Sequence, residues 1–344
     1  MDKTPLVSVN IVTYNGLRWL ERCFSSLFAQ TYGNIEIIAL DNASVDGSKE
    51  WLKKTAQEHT NLKVIENPTN LGFAAAHNIG ISQANGKYVC LLNQDIVMDE
   101  NFVQNVVIEF EKQDEKIAAI QGKLFRLGSN FDKTDILDSC GLEMLKNRRI
   151  ISRGQGEKDN GQYNNMRVIF GVDGALPVYS KKALEDIKIP IGKNKFEYFD
   201  EDFFMYKEDV DLAWRFILFG WQSIFVPSAK AWHARGAGES AAKNMMAVIR
   251  ERRKIPSWSK FYSWKNQRLM QIKNELPVLF LKDLPVILIK EILSIGYIIL
   301  FETKNSKSFF VLLKQLPNAI HKRSYIMTHK RIKNSQDISF WFKS

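Results

Sequence analysis

Short apolar runs alternate with helical patterns through the first hundred residues. Runs at Leu6–Val12, Ile35–Leu40, Leu62–Glu66 and Lys87–Leu92 predict strands, and between them Leu17–Gln30, Gly47–Glu58 and Phe73–Ala84 repeat apolar residues at helical spacing. That alternation predicts an α/β chain built from βαβ units around a mostly parallel sheet flanked by helices. Each strand ends in polar residues: "TYNG", "DNASVDGS", "ENPTNLG" and "NQD" in turn. Ligands of open α/β sheets bind beyond the carboxyl ends of the strands, so these four segments are expected to line one crevice.

Residues 117–240 read as a mixed second half, with strands near Ile117–Phe125, Val168–Pro177 and Ser223–Val226 and a polar, glycine-rich loop at 150–165. Past residue 240 the pattern changes. A basic, aromatic segment is followed by "LPVLFLKDLPVILIKEILSIGYIILF", which Lys282, Asp283, Lys290 and Glu291 interrupt. Its longest uncharged run, Ile292 to Phe301, falls short of the roughly 20 residues a membrane span needs. An interfacial amphipathic helix pair is expected, with a helical layer packed on the protein itself as the alternative. The predicted organisation is a body at 1–240, divided into a nucleotide-binding half (1–100) and an acceptor and catalytic half (101–240), and a helical C-terminal region at 241–344.

Charge sharpens that division. The chain holds 48 Lys and Arg against 38 Asp and Glu, but residues 241–344 carry 20 against 6 while residues 1–240 carry 28 against 32. A basic region on a mildly acidic body points to an anionic membrane surface more than to nucleic acid. Trp258, Phe261, Tyr262 and Trp264 keep base stacking open as an alternative. The cysteines Cys23, Cys90 and Cys140 have neither disulfide-framework nor zinc spacing, and the first residues show no apolar leader. The expected location is cytoplasmic, peripheral on the inner face of the cell membrane.

Several side chains stand where chemistry is done. Asp95 ends the strand in "VCLLNQDIV", where a carboxylate can hold a divalent cation with diphosphate oxygens. Asp41 follows the second strand, in position for a ribose or base edge, whereas Asp46 reads as a helix cap. Asn70 and Gly72 open a helix rich in small residues, which allows close approach of a ligand; close helix packing explains Ala74 to Ala76 equally well. His77 reads as a helix-face residue. His233, expected after a strand and before a glycine-rich loop, is a candidate metal or phosphate ligand. In "FDEDFFMYKEDVDLAWRF", Glu208 and Asp211 suit a helix start, Asp211 and Arg215 form an i,i+4 surface pair, and Asp200 to Asp202 read as a solvated turn. Asp209 is left without a structural task. No G-x-G-x-x-G follows a strand and no P-loop is present, so a bound diphosphate would need a metal.

In this order, "VSVNIVTYNG", "DNASVDGS", "NPTNLGFAAAHNIGI", "LLNQD", "GVDGALPVYSKKAL", "FDEDFFMYKEDVDLAWRF" and "VPSAKAWHARG" closely resemble family 2 glycosyltransferases, particularly the bacterial rhamnosyltransferase-like branch. The resemblance implies a GT-A fold and inverting transfer of a sugar from a nucleotide-diphosphate donor with a divalent metal, Mg²⁺ or Mn²⁺. It implies that Thr13, Tyr14, Asn15 and Asp41 hold the nucleotide, with Asn70 and Gly72 nearby. Asp95 would bind metal at the end of the family's D-x-D, His233 would be a further metal or diphosphate ligand, and Asp209 the general base. Gly174 and Ala175 would lie near the sugar and acceptor. Asn93 departs from the motif, standing in place of its first acid. The Q-x-x-R-W of processive members is absent, which implies one sugar per encounter. The implied donor is a deoxyhexose nucleotide such as dTDP-rhamnose, with UDP-hexose or UDP-N-acetylhexosamine as alternatives; the implied acceptor is a glycan or polyprenyl-linked intermediate. A nucleotidyltransferase would usually carry a glycine-rich phosphate loop where this chain has "TYNGLRWL".

Overall fold

The computed structural model of the chain describes residues 4–112, 116–165, 168–235 and 245–343. It opens with β1 (Val7–Thr13), α1 (Leu17–Phe28), β2 (Ile35–Asp41), α2 (Ser48–Glu58), β3 (Leu62–Glu66), α3 (Gly72–Gln83) and β4 (Tyr88–Asn93). Strand β1 lies parallel to both β2 and β4, and β2 to β3. The apolar alternation thus becomes one parallel sheet whose carboxyl ends carry the four polar segments. Helix α3 lies close on β1 because its residues are small: a Cβ at Gly80 would fall 2.1 Å from the Asn10 side chain. Ala74 and Ala76 are buried on the same helix, so packing accounts for them. His77 is buried rather than facing out, and burial pushes its imidazole down to about 3, holding it neutral.

There follow β5 (Ile96–Met98), α4 (Phe102–Lys112), β6 (Ile117–Leu127), β7 (Lys133–Ser139), β8 (Leu142–Leu145), β9 (Ile150–Ser152), β10 (Val168–Ile169), β11 (Pro177–Ser180), α5 (Lys181–Ile187), β12 (Ile189–Gly192), β13 (Lys195–Glu197), α6 (Glu208–Leu218) and β14 (Gln222–His233). The main sheet runs β10-β14-β6-β11-β4-β1-β2-β3, with β5 on β14 and β7 on β6. Strand β11 is antiparallel to both neighbours and joins the parallel half to the rest.

Two expected strands differ. Val168–Pro177 is not continuous: residues 170–176 leave the sheet, because Gly174 N–H donates to Asp209 Oδ2 and Ala175 N–H to Asp173 Oδ1, each at 3.1 Å. Strand β14 runs on past Val226 to His233, absorbing Pro227 in a register shift between Val226 and Lys230. His233 therefore ends a strand instead of following one. Most of the glycine-rich segment after it lies at 236–244, outside the described residues.

The C-terminal region forms α7 (Met245–Lys254), α8 (Ser257–Asn274), α9 (Pro277–Phe301), α10 (Lys307–Tyr325), α11 (Ser335–Ser339) and β15 (Phe342–Lys343), which pairs with β8. The apolar stretch is a single 25-residue helix rather than the expected pair, and α10 packs on α8. Part of the region's positive charge is spent internally. Lys273 and Lys322 are buried among acids: Lys273 pairs with Asp200 and with Asp211 at 2.9 Å, and Lys322 with Glu197 at 2.6 Å and Asp200 at 2.5 Å. Burial opposes ionisation of Asp200, but the two ammonium groups hold its carboxyl far below the usual range.

That cluster corrects the solvated-turn reading for Asp200 and Asp202, while Glu201 between them is exposed. Asp200 is 2% exposed, and Lys265 and Gln315 both donate to the backbone carbonyl of Asp202. The Asp211–Arg215 pair is likewise buried rather than superficial, and Arg215 also donates to the carbonyls of Ile187 and Tyr198. Helical spacing alone could not distinguish a buried i,i+4 pair from a surface one.

Candidate active site

A cleft of about 560 Å³ opens at the carboxyl ends of β1, β2 and β4, closed on its far side by the start of α6, the end of β14 and the start of α8. On the sheet side, Asp41 is buried. Its Oδ2 accepts from Ser44 N–H at 3.1 Å and its Oδ1 has no partner, which leaves an acceptor unsatisfied. Asn15 adopts φ 49° and ties the two loops together, donating its N–H to Ser44 Oγ and accepting from Val45 N–H. Tyr14 is exposed at the cleft wall, while Thr13 is buried and donates to the Gln94 side chain. Asp46 is not the cap expected of it: the N-cap of α2 is Gly47, and Asp46, one residue earlier, accepts from Ser48 N–H and Leu17 N–H.

Asn70 and Gly72 lie on the opposite lip. Asn42 donates to the Gly72 carbonyl at 3.1 Å and to Asn70 Oδ1 at 3.3 Å, so Asn42 holds this lip against β2. Gly72 needs to be glycine: its φ is 78°, and a Cβ would lie 2.5 Å from Phe204.

Asn93 and Asp95 follow β4. Asn93 N–H donates to the Ala175 carbonyl at 3.0 Å, which brings the "NQD" segment beside the loop carrying Gly174. Asp95 Oδ2 lies 3.5 Å from His233 Nε2, and His233 Nδ1 lies 2.8 Å from Asp138 Oδ2, a carboxylate that also pairs with Arg235. Burial opposes a charge on His233, yet Asp95 and Asp138 override it and push the imidazole up to about 10. Asp95 and Asp138 are correspondingly held low, against their own burial, by His233 and, for Asp138, also by Arg235.

These residues suit a divalent cation. The Asp95 oxygen and the His233 nitrogen are close enough to share one ion, and a carboxylate behind the imidazole is the usual support for a metal-bound histidine. Among the described residues no group of three or more such ligands converges. The remaining positions would fall to diphosphate oxygens and water.

Asp209 sits in the first turn of α6, facing the cleft. Val210 N–H donates to its Oδ1 at 2.8 Å and Gly174 N–H to its Oδ2 at 3.1 Å. Burial and, next, the Asp173 carboxylate push its carboxyl up to about 6, against Lys207 and the two N–H groups. Glu208, buried beside it with Oε2 unpartnered, is raised further still, first by burial and then by Asp209. The preceding turn is strained: Phe204, Tyr206 and Lys207 all have φ between 62° and 73°. A carboxylate of raised basicity, clamped by two backbone donors and open to a cleft, is a competent proton acceptor.

The cleft brings together Tyr14, Asn70, Gly72, Asn93, Asp95, Gly174, Ala175, Asp209 and His233. Thr13, Asn15 and Asp41 do not line it; they are chain neighbours of the lining residues Val12, Tyr14 and Asn42. It also contains Trp258 and four residues that the sequence did not single out: Asp173, Gln94, Lys207 and Arg235. Asp173 and Gln94 lie inside motifs already singled out. Asp138, on β7, had no motif to mark it. Of the aromatic residues considered for base stacking, Trp264 is buried against Phe309 and Tyr262 stacks on Phe204; Trp258 stands half exposed at the cleft rim.

The family model described as glycosyl transferase family 2 matches residues 8–188. An uncharacterized glycosyltransferase of Haemophilus influenzae is 33% identical over 114 residues, covering 33% of this chain and 35% of that protein. Glycosyltransferase GlyG of Streptococcus pneumoniae is 30% identical over 132 residues, 38% of this chain and 42% of its own. Poly-beta-1,6-N-acetyl-D-glucosamine synthase of Staphylococcus epidermidis is 25% identical over 228 residues, 66% of this chain and 49% of its own. The chain thus spans about a third to a half of the length of these relatives. In structure it is similar to S. aureus TarS residues 1–349, at a TM-score of 0.56 and 15% identity, covering 92% of this chain and 81% of that one. Mannosyltransferase PcManGT from Pyrobaculum calidifontis, in complex with GDP-Man and Mn²⁺, gives a TM-score of 0.52 at 15% identity, covering 95% and 86%. At that identity the likeness is one of fold, and the fold is GT-A.

Proposed function

The chain belongs to glycosyl transferase family 2, and from that premise we propose that it transfers a single sugar, with inversion, from a nucleotide-diphosphate donor to a glycan hydroxyl, Asp209 acting as general base. The observation that carries this reading is the position and basicity of Asp209, clamped by Gly174 and Val210 across the cleft from the nucleotide loops.

Asp41, with its free acceptor, Thr13, Tyr14 and Asn15 serve the nucleotide, and Asn70 and Gly72 let the donor approach the backbone. Asp95 and His233 hold the divalent cation, with Asp138 fixing the imidazole from behind. Bound there, Mg²⁺ or Mn²⁺ supplies positive charge to the departing diphosphate. Asp209 takes the proton of the acceptor hydroxyl as its oxygen bonds to the anomeric carbon and the carbon–oxygen bond to the diphosphate breaks. One displacement gives inversion. Asp173 keeps the Asp209 carboxyl basic, and the half-exposed Trp258 offers a flat apolar surface for the acceptor.

For the donor, UDP-N-acetylglucosamine takes first place: among the similar proteins are a poly-beta-1,6-N-acetyl-D-glucosamine synthase and TarS in complex with UDP-GlcNAc. A deoxyhexose nucleotide such as dTDP-rhamnose is the second reading, favoured by the order of motifs. The acceptor is a lipid-linked or cell-surface glycan intermediate of wall or polysaccharide synthesis. The enzyme works from the cytoplasmic side, with its C-terminal region on an anionic membrane surface. Thermal shift against a panel of nucleotide sugars, with and without Mn²⁺, tests the reading. One donor should raise the melting temperature, more so with the metal; a flat panel would overturn it.

A further inference from the structure

Helix α9 carries its two carboxylates, Asp283 and Glu291, on the side that faces the protein. Asp283 pairs with Arg148 at 2.7 Å, Glu291 with Arg268, and the Leu279 carbonyl accepts from Arg148. Trp264 Nε1–H donates to Ser294 Oγ at 2.9 Å. These contacts tie α9 to the body along most of its length. The opposite side is apolar and uncovered: Leu281, Ile289, Ile292, Leu300 and Phe301 are 60–72% exposed. On α10, Phe310 and Leu313 extend the same character. Exposed apolar side chains in this number mark an interaction face.

The charge around it selects the partner. Between residues 276 and 334 the only acids are Asp283, Glu291 and Glu302, and each is held inward by a cation: Arg148, Arg268 and Arg252 respectively. Lys282, Lys304, Lys307 and Lys314 are exposed and make no ion pair with any described residue. An apolar stripe edged by free ammonium groups, with no exposed carboxylate on α9 or α10 themselves, matches an anionic bilayer surface.

The face also leads to the cleft. At its end, Arg252 pairs with Glu302 at 2.6 Å and Ser257 Oγ donates to Asn305 Oδ1 at 2.9 Å. The next residue is Trp258, whose ring lies 5.8 Å from that of Tyr206 at the cleft wall. We propose that α9 and α10 lie flat in the interface of an anionic bilayer, so that the Trp258 rim opens at the lipid surface and receives an acceptor anchored in the membrane. Although α9 is long and apolar enough to cross a membrane by length and composition, it does not span: doing so would strip Asp283 and Glu291 of their buried partners. This inference rests on the glycosyl-transfer reading for the acceptor alone; the bilayer contact stands without it.

Flotation of the full chain with phosphatidylcholine vesicles containing roughly a third phosphatidylglycerol tests it. Wild type is expected to float with these vesicles, poorly with pure phosphatidylcholine, and to be released by alkaline carbonate without detergent. Ile292→Glu with Leu300→Glu should weaken binding about tenfold or more, since charged groups cannot be buried among acyl chains. Ile191→Glu, on the distant β12, should not. Failure of wild type to float, equal flotation of the double variant, or resistance to carbonate would each overturn it. So would a dimer in vesicle-free solution that the double variant abolishes, with no vesicle binding. The UDP-N-acetylglucosamine thermal shift, measured without vesicles, reports folding of the variants and fails independently if the functional reading is wrong.

Discussion

Replacing Asp209 with Asn should slow transfer severely and make the protein more stable at neutral and alkaline pH. The carboxyl stands at about 6 against an ordinary 3.8. Ionising it in the fold at about pH 8 therefore costs on the order of 3 kcal/mol relative to the unfolded chain. The sign follows from the raised value: below the unfolded value both states hold the proton and the cost vanishes, and it grows as pH rises through the folded value. Asn carries no charge. It can accept from only one of the two N–H groups that now bind Asp209, which takes back about 1 kcal/mol. The net gain is about 2 kcal/mol at about pH 8, or roughly 3 °C in Tm for a chain of this size. Near pH 4 the difference should reverse to a loss of about 1 kcal/mol. Loss of the base should slow transfer by about 10²- to 10⁴-fold. Thermal melts of both proteins across this pH range, beside transfer rates, make the check. An Asn variant less stable than wild type at about pH 8, with unimpaired transfer, would refute the assignment and the electrostatics behind it.

Wild-type kcat/KM should rise tenfold per pH unit up to about 6 and then level; a profile flat through that region would exclude Asp209 as the base. Asp138→Asn should weaken Mn²⁺ binding about 10- to 100-fold by releasing the His233 imidazole, read by metal titration of donor binding; unchanged affinity would remove His233 from the metal site. Gly72→Ala, forced against Phe204 at positive φ, should cost about 1–3 kcal/mol and raise the donor KM; normal donor binding with unchanged stability would show that the lip yields freely. Lys273→Met, which strips Asp200 and Asp211 of a buried partner, should cost about 3–5 kcal/mol in a urea melt, and a midpoint within error of wild type would show the cluster to be dispensable.

The parallel half of the sheet was legible because β1 and β4, and most of β2, are buried on both faces and every run ends in a polar stop, and each expected element falls within two residues of the observed one. The second half was harder to read. Strand β7, "KTDILDS", alternates too many charges to signal a strand, and Asp138 within it is placed only by the pairing of β6 with β7. The acids of "FDEDFFMYKEDVDLAWRF" show the limit most clearly. Local rules made Asp200 a turn residue and Asp211 a surface partner, yet their true partners, Lys273, Lys322 and Asn274, lie 63 to 122 residues further on. Asp209 was singled out because local structure gave it no task, and in the fold its partners are backbone groups and the cleft.

The most direct test of the account measures donor binding and sugar transfer on the same two proteins. With UDP-N-acetylglucosamine or dTDP-rhamnose, Mn²⁺ and membrane glycan acceptors, wild type should release nucleoside diphosphate and form a glycoside of inverted configuration. Asp209→Asn should bind the donor as tightly but release at least about a hundredfold less. Equal turnover by the two proteins, or retention of configuration in the product, would contradict the account.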